Sequence, residues 1–95
     1  MQRREYVRKP VIFASEMLFD NKEVPCSIIN ISAGGAKLKI AAERENKYPR
    51  SAVLDITPFG RFTVTIVWHS GKHMGVKFFD SPIKMAEVVI AMAVY

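Results

Sequence analysis

Tight-turn residues punctuate this chain at short intervals, and that punctuation constrains its fold more than any other feature. Asp20-Asn21-Lys22, Gly34-Gly35, Pro58-Phe59-Gly60 and Ser70-Gly71-Lys72 break it into short runs. Within the runs apolar residues recur with period two, the period of a pleated strand and not of a helix. Arg61 to His69 shows it best, with Phe62, Val64, Ile66 and Trp68 on one side and Thr63 and Thr65 on the other, so Trp68 reads as core. Val11 to Phe19, Val24 to Ser32, Ala36 to Ile40, Ala52 to Ile56 and Met74 to Phe79 bring the set to six. Leu38 and Ile40 alternate with Lys37 and Lys39, which gives one buried and one wet face. Six short strands with turns between them favour a small antiparallel barrel or sandwich.

The two ends differ from this body. Residues 1–9 form a polar leader, and Pro10 ends it by biasing Lys9 toward extended backbone. Residues 41–50 carry charge without apolar periodicity and read as a connection. Ser81-Pro82 is a helix start, a capping hydroxyl followed by proline at the first helical position, and no breaker follows before Tyr95. Ile83, Ala86, Ile90 and Ala93 are expected to pack on the barrel, yet Val88, Val89, Met92 and Val94 are apolar on other sides. Such a helix is buried on more than one face or finds a partner. The expected organisation is one domain over 1–95: a flexible leader (1–9), a β-barrel (10–80) and a C-terminal helix (81–95).

At 95 residues and 49% hydrophobic, the chain can fill one small core. Arg3, Arg4, Arg8 and Lys9 against Glu5 place three of the five excess positive charges in the first nine residues. A cationic leader on a nearly balanced body suits a local anion site better than a surface that coats DNA or RNA. Cys26 stands alone, so no intramolecular disulfide and no cysteine-based metal site are possible, and a cytoplasmic location is expected. No export signal is evident, and the longest apolar stretch, Val88 to Tyr95, falls far short of the roughly 20 residues of a membrane span. His69 and His73 are four apart, but Ser70-Gly71-Lys72 between them reads as a turn and no third ligand is near, so no metal is expected. Ser32 lacks a nucleophile-elbow context and a base, and the glycines lack the Lys-Ser/Thr of a phosphate-binding loop. No enzyme is expected.

Two blocks carry chemistry. Arg4-Glu5-Tyr6-Val7-Arg8 sets two guanidinium groups four apart, on one side of the chain whether it is extended or helical. Arginine's rigid fork matches the O6 and N7 edge of guanine and pairs bidentately with phosphate, which lysine does not reproduce. Asn30-Ile31-Ser32-Ala33-Gly34-Gly35 sets an amide and a hydroxyl two apart, on one strand face, with Ile29 and Ile31 anchoring the other. Gly34 and Gly35 then let the backbone turn through conformations closed to other residues and let a ligand approach main-chain N–H groups. An ordinary strand ending in an Asn/Ser/Gly turn has the same composition.

Both blocks in this order, one hairpin apart, resemble the PilZ domain family of bacterial cyclic di-GMP receptors. Its signature, Arg-x-x-x-Arg and then Asp or Asn-x-Ser-x-x-Gly, is matched by Arg4, Arg8, Asn30, Ser32 and Gly35. Val67-Trp68 and Met74-Gly75-Val76-Lys77-Phe78 are similar to the family's later strands. The resemblance implies an all-β fold, a six-stranded antiparallel barrel with a C-terminal helix, and a non-catalytic receptor with cyclic di-GMP as ligand and no cofactor. It implies that Arg4 and Arg8 wrap over the ligand, that Asn30 meets a guanine edge and Ser32 a phosphate or sugar oxygen, and that Gly35 opens the turn. Asparagine grips guanine donors more softly than aspartate. Arg3 precedes the motif where relatives choose between one nucleotide and a stacked pair, and an extra cation there favours the pair. The expected ligand site is therefore Arg3, Arg4, Arg8, Asn30, Ser32, Gly34 and Gly35. Leader movement is expected to signal to an unidentified effector protein, with a homodimer through the C-terminal helix as a further partner. A different class of function is a PilZ-like adaptor that binds no nucleotide and works through that apolar helix.

Overall fold

The structure is a computed structural model, and it describes residues 13–41 and 48–94. Six strands form a closed antiparallel barrel: β1 (Phe13–Phe19), β2 (Lys22–Ile31), β3 (Gly35–Ile40), β4 (Ser51–Ile56), β5 (Gly60–Ser70) and β6 (His73–Phe78). One helix follows, α1 (Pro82–Ala93). The ring order is β1-β2-β3-β6-β5-β4, so closure leaves no long sheet edge and the β3–β6 seam lies opposite the β4–β1 seam. The β-barrel and C-terminal helix expected from the sequence are both present, and a sandwich is excluded.

Local chemistry explains the joints. Asp20 and Asn21 adopt φ of 50° and 61°, the left-handed pair of a two-residue hairpin turn that matches strand twist. Ser81 caps α1, its Oγ accepting a hydrogen bond from the Lys84 amide at 3.2 Å, with Pro82 at the first helical position. The expected leader, residues 10–12 at the start of the expected barrel and residues 42–47 of the expected connection lie outside the described residues.

Alternation sets the core. Met17, Val24, Ile28, Leu38, Ile40, Leu54, Ile56, Val64 and Met74 point inward and are buried, while Lys37, Lys39 and Lys77 face out. The alternation breaks twice. The β2–β3 register shifts between Ile28 and Asn30, and the β5–β6 register shifts between Ile66 and Trp68. Each is a bulge that adds one residue and exchanges inside for outside beyond it. Trp68 is therefore not core: it pairs with Gly75, stands on the outer surface and is 44% exposed. A side-chain carbon on Gly75 would collide with the Trp68 indole, so the glycine makes room for the ring.

The helix also packs differently from the expectation. Met85 and Met92 are its buried residues, with Val88 against the core, whereas Ile83 and Ile90 are 79% and 65% exposed. An all-round apolar sequence does not say which stripe faces in; the length and flexibility of methionine suit an irregular barrel mouth. Met85→Ala is expected to cost about 2–4 kcal/mol in chemical denaturation, while Ile83→Ala changes stability by less than about 0.5 kcal/mol. The reverse order would mean that the other stripe packs.

Candidate functional site

Strand β2 delivers the polar pair. With Val24, Cys26 and Ile28 inward, strict alternation would carry Asn30 and Ser32 into the barrel. The bulge at Ile29 reverses the phase: Asn30 and Ser32 are exposed, and Ile31 packs against the core. Ile29 is half-buried and is the extra residue of the bulge, so the strand is anchored by Ile28 and Ile31 and not by the expected pair of Ile29 and Ile31. The amide thus reaches solvent without the cost of roughly 1–3 kcal/mol that attends a buried, unpaired polar group.

Ser32 begins a tight turn. Its amide donates to the Gly35 carbonyl at 2.8 Å, and its Oγ accepts from the Gly34 amide at 3.3 Å. The Gly34 carbonyl in turn accepts from the Phe78 amide at 3.1 Å, which ties the turn to the end of β6 just before α1. Neither glycine has positive φ, contrary to the expectation from turn chemistry; the left-handed glycines are Gly60 and Gly71. Gly35 is required because any side-chain carbon would run into the Val76 carbonyl, and Gly34 faces open space. Gly35→Ala is expected to destabilise the fold by about 1–3 kcal/mol in thermal or chemical unfolding, with Gly34→Ala nearly neutral.

The outer surface around this turn is built across strands. Asn30 pairs with Lys37, Lys37 with Gly75, and Gly75 with Trp68, so amide, ammonium and indole form one row over β2-β3-β6-β5. Three strand spacings separate its ends, roughly 14 Å. Lys77, paired with Gly35, and Lys39 extend the row on either side. β3 and β6 carry Lys37, Lys39 and Lys77 and no carboxylate; the opposite strands β1 and β4 carry Glu16 and Asp55, directly paired, and no base. Asp55 is further engaged by Thr57 at 3.1 Å and by the largely exposed Arg61 at 3.2 Å. Among the described residues, positive charge is therefore concentrated on the Asn30–Lys37 side of the ring, away from Glu16 and Asp55. Lys37, Lys77 and Trp68 were absent from the sequence-derived site. The lysine alternation was visible, but its position beside Asn30 depends on ring closure, and Trp68 depends on the second bulge.

Of the expected site residues, Asn30, Ser32, Gly34 and Gly35 come together at one end of the barrel, the end from which α1 departs. Arg3, Arg4 and Arg8 lie outside the described residues. Elsewhere the chemistry is quiet. His69 pairs with Met74 and contacts the Tyr48 ring at 4.6 Å between centroids, while His73 pairs with Ser70, so the two imidazoles belong to opposite faces of the hairpin. Among the described residues there is no group of three or more potential metal ligands. Cys26 is buried beside Ser15, Oγ to Sγ 3.2 Å; burial pushes its thiol above the ordinary 9.0, the reverse of what a thiolate nucleophile needs, and the Ser15 hydrogen bond offsets this only in part. A thiol raised on folding stabilises the native state below pH 9.0 and loses that contribution as the solution becomes more alkaline. Thiol reagents are accordingly expected to label Cys26 at neutral pH only as fast as the protein unfolds, with immediate labelling of the native protein as the contrary result. No described helix is long and apolar enough to cross a membrane.

The family model described as PilZ domain matches residues 2–93 of the chain. No curated protein and no solved structure matches it.

Proposed function

The chain belongs to the PilZ domain family, a family of generally non-enzymatic cyclic di-GMP receptors, and we propose that it binds cyclic di-GMP on the Asn30–Ser32 shelf under the arginines of its leader. The observation that carries this reading is the bulge at Ile29, which turns the two polar motif residues out onto a surface lined by Lys37 and Lys77. A purely structural Asn/Ser/Gly turn has no use for a neighbouring seam of lysines free of carboxylates. An anionic ligand does.

The division of labour follows from the groups. Asn30 offers one amide acceptor and two donors to a guanine edge. The Ser32 hydroxyl accepts from the Gly34 amide and makes only a long donation, 3.5 Å, to the Gly35 carbonyl, which a phosphate or sugar oxygen replaces as the acceptor of its proton. Lys37 and Lys77 supply compact positive charge to the phosphates, and the Trp68 indole offers a face for a base. Arg3, Arg4 and Arg8 supply the forks that pair with phosphate and read guanine, and Arg3 favours a stacked pair of nucleotides. No step makes or breaks a covalent bond. The output is a change of surface: when the leader closes on the ligand, an effector protein meets a different face, and the ligand's preference for that closed state sets the size of the shift.

Titration calorimetry with cyclic di-GMP tests the reading. Arg8→Ala is expected to weaken binding roughly a hundredfold and Asn30→Ala roughly tenfold, about 2.7 and 1.4 kcal/mol. Lys37→Ala is expected to reduce affinity less at high salt than at low salt. Parent-like affinity in Arg8→Ala would overturn the leader's role, and no binding by the parent protein would favour the nucleotide-free adaptor.

A further inference from the structure

Helix α1 is apolar on two opposite sides, and only one of them is used by the barrel. At about 100° per residue, Ile83, Ile90 and Val94 project within about 20° of a single direction, and Met85 and Met92 project within about 20° of the opposite one. Burial follows that division: Met85 and Met92 are 0% and 3% exposed, whereas Ile83, Ile90 and Val94 are 79%, 65% and 80% exposed. No rotation of the helix buries both stripes. Phe79, three residues ahead of the helix, is also 81% exposed.

We infer that this outer stripe is a self-complementary surface on which a second copy of the chain docks, α1 antiparallel to α1 about a two-fold axis. Ile83, Ile90 and Val94 together expose roughly 400 Å², so two copies cover roughly 800 Å² of apolar surface before the flanking positions are counted, the range of a weak, reversible dimer. In the antiparallel register centred between Val88 and Val89, Ile83 lies over the partner copy's Val94 end and Ile90 over its Glu87 position, with small Ala86 and Ala93 flanking the seam. Charge disfavours the opposite choice: the chain carries a net +5 and the lysines of β3 and β6 repel another copy, whereas Asp80, Lys84 and Glu87 leave the helix face with a net charge of only −1, a weaker repulsion. Lys84 is already paired with Asp80 at 3.0 Å, so Glu87 is the stripe's one unpaired charge. Two-fold pairing brings the two Glu87 carboxylates within one helical turn of each other, which limits the dimer's strength. This association does not depend on the nucleotide reading.

Sedimentation equilibrium of the full chain without nucleotide tests it, over about a hundredfold range centred on micromolar concentrations. The parent is expected to dimerise with concentration. Glu87→Gln is expected to tighten the dimer severalfold, and Ile90→Glu to weaken it more than about tenfold with unchanged thermal unfolding at low concentration. Val67→Ser, on the other exposed apolar patch, is expected to leave association as it is. The inference is overturned if parent and Glu87→Gln stay monomeric throughout, if Ile90→Glu dimerises like the parent, if Glu87→Gln is no tighter, or if Val67→Ser abolishes association.

Discussion

One inserted residue in β2 decides what this barrel can do. A strand that buries Val24, Cys26 and Ile28 has committed its even-numbered positions to the core, and Asn30 and Ser32 would follow them inside. The bulge at Ile29 releases both. A second bulge, at Val67 in β5, does the same for Trp68. The strands that carry these bulges, β2 and β5, are those that flank the β3–β6 seam, so both polar motif and indole emerge on the lysine-bearing side of the ring. Sequence order scatters these residues from position 30 to position 77; ring closure collects them.

The turn after Asn30 is also a structural joint. Ser32 fixes Gly34, and the Gly34 carbonyl holds the Phe78 amide, a short step ahead of the Ser81 cap of α1. Gly35 allows that approach because it has no side chain to strike Val76. A ligand seated on this turn therefore sits next to the hydrogen bonds that launch the helix. Coupling between shelf and helix needs only that the two share this short stretch of backbone, a contiguous path and not a long relay.

Much of this was legible in the sequence because local chemistry dictated it. Period-two alternation located six strands to within a residue or two, Asp20-Asn21 and Ser70-Gly71-Lys72 marked their turns, and Ser81-Pro82 started the helix. The bulges were not legible: an extra residue in a strand has the same composition as an ordinary one, and nothing in Ile28-Ile29-Asn30 or Ile66-Val67-Trp68 announces a change of phase. That is why Trp68 looked like core and Ile29 like an anchor. The face of α1 was hidden for a different reason, since with few polar residues its periodicity points nowhere. Of the candidate site, Asn30, Ser32, Gly34 and Gly35 could be named from the motif, whereas Lys37, Lys77 and the charge opposition between seams required the strand order.

The central claim is that the outer row from Asn30 to Trp68 is where a guanine dinucleotide settles. Its most direct test is a two-dimensional NMR titration of the whole chain with cyclic di-GMP. The account predicts that the Asn30 side-chain amide, the Gly34 and Gly35 backbone amides and the Trp68 indole N–H shift together and saturate. Signals that move only on the Glu16–Asp55 side of the barrel, with that row unchanged at saturation, would contradict it.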